Sequence, residues 1–146
     1  MLDYQHFMEI AIKEAQTSLK TGNKGFGAVI IKDNRVIARS HDTEVIEIDP
    51  IAHAEINVIR LAARKMTSKS LSGFTLLSTH EPCPMCFVAC IWAEISAVVY
   101  GASIKETIKL GRKRILITSE ELTKKAPYKI EVIGGILRER CLELYK

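Results

Sequence analysis

The sequence predicts an α/β fold in which a sheet lies between layers of helices, within one domain spanning residues 1–146. Apolar residues recur at helical spacing near both ends of the chain, and short runs rich in β-branched residues alternate with further helical segments between them. The 47% hydrophobic and 26% charged content is that of an ordinary globular domain. No apolar run reaches the roughly 18 residues of a membrane span, so we expect no membrane association.

The first 48 residues predict a helix, a hairpin and a loop. Residues 3–20 have apolar side chains at intervals of three and four, which indicates an amphipathic helix. Two strand-forming runs follow at 28–31 and 36–38, and Asp33-Asn34 between them predicts a β-hairpin. We expect residues 41–48 to be a loop.

The middle of the chain alternates between helix and strand. Asp49-Pro50 predicts the start of a helix that continues through residue 63, because an Asp side chain can cap a helix and Pro fits its first turn. Residues 74–79 read as a buried strand, and the turn at 82–84 leads into a second helix ending near residue 92. Residues 97–100 predict another strand.

The last third of the chain is less regular. Residues 103–111 predict a short helix, whereas 112–129 have no clear pattern. A strand is expected over 129–133, and Gly134-Gly135 then breaks the chain before a closing helix over 136–145.

Two short motifs at predicted helix starts combine into a metal site. His53 and Glu55 stand two residues apart, and Cys83 and Cys86 are three apart. A catalytic zinc site has three protein ligands and an open position for water, whereas a structural site has four. His53, Cys83 and Cys86 therefore predict one open Zn²⁺ site, with Glu55 as its general acid/base. Two helix N-termini facing the metal would bring these side chains together.

The cysteines could also have other roles. Cys90 lies four residues after Cys86 and could supply a fourth sulfur, which would make the zinc site structural. We expect Cys90 and Cys141 to be small buried residues instead. A thioredoxin-like redox function would use only Cys83 and Cys86, and it leaves His53 without a role.

His-x-Glu followed by Pro-Cys-x-x-Cys is the signature of the zinc-dependent nucleobase deaminases. The chain resembles the cytidine/deoxycytidylate deaminase superfamily, in the branch of guanine deaminases and tRNA adenosine deaminases. The similarity also includes residues 25–30, 98–102 and 131–137. It implies a three-layer α/β/α sandwich with a five-stranded mixed sheet, and a homodimer.

The resemblance also suggests substrate contacts, which we assign to Phe26, Asp42, Ala54 and Trp92. Asp42 stands eleven residues before His53, where the similar purine deaminases usually have Asn. Asn both donates and accepts hydrogen bonds, whereas ionised Asp only accepts. The change favours a substrate that presents N–H or hydroxyl groups, or it means that another residue fills the role.

We therefore expect a hydrolytic deaminase that releases ammonia from a small nucleobase or nucleoside, with a guanine-type purine favoured. One alternative is a tRNA adenosine deaminase acting in an anticodon loop, and another is a non-catalytic zinc-binding subunit. Residues 101–146 hold 11 Lys/Arg and 6 Asp/Glu, against 10 and 11 in residues 1–100. This excess permits phosphate contacts, although so short a basic run is usually a solvated surface. With no leader visible and a Cys-x-x-Cys motif, we expect a cytoplasmic location.

Overall fold

The computed structural model describes residues 3–146, and within them it has five strands and seven helices. Residues 1–2, where the predicted domain begins, lie outside the described residues. The strands are β1 (Gly27–Lys32), β2 (Arg35–His41), β3 (Thr75–His80), β4 (Ala97–Ala102) and β5 (Glu131–Ile133). The helices are α1 (Tyr4–Lys20), α2 (Glu44–Glu47), α3 (Ala54–Met66), α4 (Pro84–Trp92), α5 (Ile104–Lys109), α6 (Ser119–Thr123) and α7 (Arg138–Glu143).

The strands form one mixed sheet in the order β2-β1-β3-β4-β5. Strand β1 is antiparallel to both β2 and β3, whereas β3, β4 and β5 run parallel. The hairpin turn is at Asp33 and Asn34, which both adopt positive φ, as two-residue hairpins of right-handed twist require. The predicted five-stranded mixed sheet is confirmed.

Helices cover both faces of the sheet, which gives the predicted three layers. Alternate residues of each strand face opposite sides, so Leu76 and Leu77 of β3 belong to different cores. One core joins the sheet to α3 and α4, and includes Val58 and Phe87. The other joins it to α1 and α7, and includes Met8. In the described part of the chain, no helix is both long enough and apolar enough to span a bilayer.

The segments that carry the sequence motifs lie at one end of the strands, where β1 begins and where β2, β3 and β4 end. Gly27, at the start of β1, pairs with His41, at the end of β2. His80, at the end of β3, pairs with Ala102, at the end of β4. Because α3 and α4 also begin at this end of the sheet, the functional side chains converge there.

The Gly27 position is sterically constrained. A Cβ at this residue would lie 2.0 Å from the carbonyl oxygen of Ala11 and 2.6 Å from the amide nitrogen of Ala15. Strand β1 therefore packs directly against the backbone of α1, and only glycine allows that approach.

The structure corrects two local predictions. Residues 41–48 are not wholly a loop, because Glu44–Glu47 form the short helix α2. The side chain of Asn23 accepts hydrogen bonds from the amides of Val45 and Ile46, so a distant residue satisfies the start of this helix. Asp49 does not begin α3; its carboxylate accepts from the Ile51 amide in a turn, and the helix starts at Ala54.

Candidate metal centre

Three of the predicted ligand atoms lie close together. The Nδ1 atom of His53 is 3.7 Å from the Cys83 sulfur and 3.5 Å from the Cys86 sulfur, and all three atoms lie within 4.8 Å of one another. A tetrahedral zinc ion with bonds of about 2.0 Å to nitrogen and 2.3 Å to sulfur would separate such atoms by roughly 3.5 to 3.8 Å. The two nitrogen–sulfur distances therefore match those expected for zinc ligands.

The helix starts explain how these side chains meet. His53 is the extended residue that precedes α3, and Cys83 is the equivalent residue before α4. Pro84 occupies the first turn of α4, where its missing N–H costs no hydrogen bond. The positive ends of both helix dipoles lie beside the thiols, and such ends stabilise thiolates.

The two thiols differ in acidity. The hydrogen bond from Cys86 is the main effect that lowers the pKa of Cys83 to about 4, and it opposes the effect of burial. The same hydrogen bond raises the pKa of Cys86 above its ordinary value. Cys83 is thus the more acidic thiol, and both sulfurs must lose their protons to become metal ligands.

Cys90 is not a fourth ligand. It is buried in the core that joins α3, α4 and the sheet, and it does not belong to the group of three donors. Cys141 is buried in the opposite core. Both cysteines are thus the core residues that the sequence predicts.

The second nitrogen of His53 faces a carboxylate that the sequence did not reveal. His53 Nε2 lies 3.7 Å from Glu44 Oε2, and the other oxygen of Glu44 lies 3.6 Å from Lys24 Nζ. Metal-binding histidines usually have an acidic or carbonyl partner at the second nitrogen, which orients the ring. Glu44 was missed because its helix, α2, was expected to be a loop.

Glu55 lies beside the three donors and is only 4% exposed. Burial is the main effect that raises the pKa of its carboxyl to about 7, and the nearby Cys83 charge adds to it. A carboxylate buried beside a metal position is placed to accept a proton and to return it, which is what a general acid/base must do.

A cavity of about 560 Å³ opens beside the three donors. This volume is typical of a small-molecule site. Its polar interior contains Asp42, Glu44 and Glu55, its walls include Phe26, His80 and Tyr145, and the basic segment Arg112, Lys113 and Arg114 also lines it.

The structure places two of the four predicted substrate contacts at the cavity and the other two away from it. Phe26 and Asp42 line the cavity. Ala54 begins α3, and its side chain is buried in the apolar core rather than at the cavity. Trp92 does not reach the site within this chain: it is 79% exposed at the far end of α4. It stands six positions after Cys86 along the helix, a rise of about 9 Å.

Asp42 is almost fully buried, and one of its oxygens is already engaged. Its Oδ1 accepts a hydrogen bond from the Glu44 amide at 3.0 Å, at the start of α2. Burial is the main effect that raises its pKa to about 7. Its carboxyl also interacts with the carboxyl of Glu44, and this contact adds to the effect of burial on its pKa.

His80 is a wall residue that the sequence analysis missed. Its Nδ1 lies 2.7 Å from the Glu81 carbonyl oxygen, which can only accept, so Nδ1 carries the proton. Its Nε2 then accepts from the Thr107 hydroxyl at 2.8 Å and from Arg114 Nε at 3.3 Å. Burial lowers the pKa of His80 to about 4, which keeps this arrangement neutral. Its position directly before Glu81-Pro82-Cys83 was the available signal.

Tyr145 completes the aromatic wall from the other end of the chain. Its hydroxyl is 2.8 Å from Thr79 Oγ1, and its ring centroid is 5.0 Å from that of Phe26 and 5.2 Å from that of His80. Nothing local in the sequence marks Tyr145, because its partners lie more than 60 residues away.

Comparisons with known proteins agree with this geometry. Residues 1–102 match the family model described as the cytidine and deoxycytidylate deaminase zinc-binding region. The chain is 36% identical over 135 residues to a tRNA-specific adenosine deaminase of Bacillus subtilis, covering 92% of this chain and 81% of the relative. It is 35% identical over 111 residues to a guanine deaminase of the same species, covering 75% and 71%.

A similar fold has been solved in a study of A-to-I editing by tRNA:A34 deaminases at the wobble position of transfer RNA. That structure superimposes with a TM-score of 0.84 at 32% identity, covering 95% of this chain and 98% of the other. The likeness therefore extends beyond the zinc-binding region to nearly the whole described chain.

Proposed function

The chain belongs to the cytidine and deoxycytidylate deaminase family and is a zinc-dependent deaminase, and from this premise we propose that it removes the exocyclic amine of a purine ring by hydrolysis. The observation that carries the proposal is the meeting of three zinc donors with a buried carboxylate at one cavity. In this proposal the ligands are His53, Cys83 and Cys86. Glu55 is the catalytic acid and base, because a purely structural site needs no proton carrier.

Each side chain has a distinct task. When bound, zinc makes water a nucleophile at neutral pH. Glu55 accepts one proton of that water and delivers it to the ring nitrogen. It then moves the second proton from the added hydroxyl group to the amine, which leaves as ammonia. Phe26 and Tyr145 offer flat apolar surfaces to the ring, and the Asp42 carboxyl, which lines the same cavity, is the polar group that hydrogen-bonds to it.

Two purine substrates fit the proposal. A free guanine-type base or nucleoside fits a cavity of this volume, and one relative is a guanine deaminase. Adenosine in a tRNA loop is the second candidate, and the tRNA-specific adenosine deaminases among the relatives favour it. Trp92, which would have favoured the guanine-type substrate, lies away from the cavity.

A substrate panel tests the proposal. Ammonium release from zinc-loaded protein is measured with guanine, guanosine, cytosine, adenine, adenosine and an anticodon stem-loop. We expect Glu55→Gln to lower turnover by about 100- to 10,000-fold while zinc content stays at one per chain. Glu120→Gln, an exposed carboxylate on α6, is the matched control and should behave like the wild type.

The failing outcomes are distinct. Near wild-type turnover of Glu55→Gln would remove Glu55 from its role. If the wild type releases no ammonium from any member of the panel, the chain is better described as a zinc-binding subunit without activity.

The assembly and location form part of the same proposal. We propose one domain of residues 1–146, a homodimer and a cytoplasmic location. The four free cysteines agree with the cytoplasm. The exposed apolar side chains of Met85 and Trp92 on α4 agree with the homodimer. Apolar groups clustered on a surface are typical of protein interfaces. Sedimentation of the zinc-loaded protein, compared with a Trp92→Gln variant, tests the dimer.

A further inference from the structure

Arg114 is a half-buried cation on the cavity wall that has no carboxylate partner among the described residues. Its Nε donates to His80 Nε2 at 3.3 Å, its Nη1 donates to the Lys113 carbonyl at 3.0 Å, and its guanidinium lies 5.5 Å from the centre of the Phe26 ring. All three partners are neutral. A charge removed from water without a counter-charge costs free energy, so this position favours an anionic ligand.

Two of the carboxylates that line the cavity, Glu81 and Glu44, are engaged elsewhere. Both oxygens of Glu81 accept backbone hydrogen bonds, from Ile104 at 2.9 Å and from Ser119 at 2.7 Å. Glu44 lies between Lys24 and His53. These acids therefore serve the framework and the metal centre rather than Arg114.

The neighbouring basic residues have different tasks. Arg112 donates to the carbonyl oxygens of Tyr145 at 2.7 Å and of Lys146 at 3.2 Å, and so holds the segment that carries the Tyr145 ring. Lys113 is exposed, lines the same cavity and makes no ion pair within residues 3–146. Arg114 and Lys113 are thus the two cations available to a ligand.

The geometry of Arg114 is already fixed. The neutral His80 ring accepts from Nε, and the Lys113 carbonyl accepts from Nη1. Nη2 makes no hydrogen bond to the described residues, which leaves one edge of the planar group for an incoming oxygen. A held guanidinium loses little side-chain entropy on binding, and phosphate is the anion that its donor geometry suits.

On the premise of the proposed purine deamination, we propose that Arg114 and Lys113 form a subsite for a phosphate group attached to the substrate nucleoside. The reacting ring then lies among Phe26, Asp42 and Glu55, and the phosphate lies at the basic segment of the same cavity. The phosphate belongs either to a mononucleotide or to a strand of RNA.

Paired substrates test the subsite. We measure kcat/KM of the zinc-loaded protein for adenosine against AMP, for guanosine against GMP, and for an anticodon stem-loop RNA. The variants are Arg114→Gln, Arg114→Lys and, as control, Arg35→Gln, an exposed arginine at the opposite end of the sheet. Arg114→Lys keeps the charge but not the planar donor edge.

We expect Arg114→Gln to lower kcat/KM for the phosphorylated substrates by about 10- to 100-fold, mainly through KM, because a hydrogen bond to a charged group is lost. The unphosphorylated nucleosides should lose clearly less, because they present no anion to the guanidinium, and what they do lose reports on the packing of Arg114 against Phe26 and His80. Arg114→Lys should be intermediate, and Arg35→Gln should match the wild type.

The mononucleotide and stem-loop substrates distinguish the two sources of phosphate. A loss confined to AMP or GMP assigns the subsite to a mononucleotide. A loss confined to the stem-loop, with a salt-dependence slope smaller by about 0.7 to 0.9, assigns it to RNA. An equal loss for nucleosides and phosphorylated substrates overturns the subsite, because Arg114 would then act only on the framework.

Failure of the proposed function has its own signature. If the wild type releases no ammonium from any substrate, equilibrium binding of AMP, GMP and the stem-loop to the zinc-loaded wild type and to Arg114→Gln decides the subsite alone. Binding that weakens by about tenfold or more in the variant supports it. Equal binding, or none to either protein, overturns it.

Discussion

The neutral, buried state of His80 makes a quantitative prediction about stability and pH. Burial is the main effect that lowers the pKa of this imidazole from its ordinary 6.5 to about 4 in the folded protein. Between these values the unfolded chain binds a proton that the folded chain does not. The contribution of the neutral His80 ring to the unfolding free energy is therefore fully present above about pH 6.5, and it is lost as the pH decreases towards 4.

The size of the effect follows from the same pKa values. Each tenfold change in proton affinity corresponds to about 1.4 kcal/mol, so the change from 6.5 to about 4 amounts to about 3 kcal/mol of unfolding free energy. Replacing His80 by Gln removes this titration and retains an oxygen that can accept from Thr107 and Arg114. The stability difference between wild type and His80→Gln should therefore shrink by about 3 kcal/mol between pH 7 and pH 4.

Urea unfolding of both proteins across this pH range measures the difference. Because both lose stability through the other titrating groups, including the zinc ligands, only the difference reports on His80. His6→Gln, on the exposed face of α1, controls for loss of an imidazole elsewhere. A difference that stays constant from pH 7 to pH 4 would show that His80 is not held as a buried neutral ring, and the tautomer derived from its hydrogen bonds would be wrong.

Two further predictions concern the metal site and the packing of the sheet. Cys86→Ser should weaken zinc binding by more than about 100-fold, because losing a zinc ligand costs more affinity than losing a residue that hydrogen-bonds to a ligand. Cys90→Ser should keep one zinc per chain, and zinc titration of both variants measures the difference. Gly27→Ala should lower the unfolding free energy by about 3 kcal/mol or more, because its Cβ would meet the backbone of α1 at 2.0 Å. A loss below about 1 kcal/mol in urea unfolding would contradict that packing.

Much of the fold follows from signals within a few residues. The periodicity of residues 3–20 predicts α1, and Asp33-Asn34 predicts the hairpin, because helices and tight turns depend on neighbouring residues. Helix α2 was missed for the opposite reason. The residue that satisfies its first amides, Asn23, lies more than 20 residues earlier and has no local signature.

The residues of the candidate site also fall into two groups, those marked by the local sequence and those placed only by the fold. His53, Glu55, Cys83 and Cys86 were recognisable because metal ligation requires particular residue types at short spacings, and both pairs stand at helix starts. Trp92 was assigned to the substrate through resemblance. Within this chain it is exposed and is not among the residues that line the cavity, so its role as a substrate contact stays a prediction.

Local sequence was thus enough to identify a zinc-binding deaminase chemistry and the strands and helices that carry it. The surroundings of the reacting ring were decided by the sheet order and register, which bring the end of β3 beside residues from the last third of the chain. Tyr145 and Arg114 come to the wall beside Phe26 only after the chain has folded around the sheet. Contacts between residues this far apart depend on the sum of all packing interactions, so no short motif specifies them.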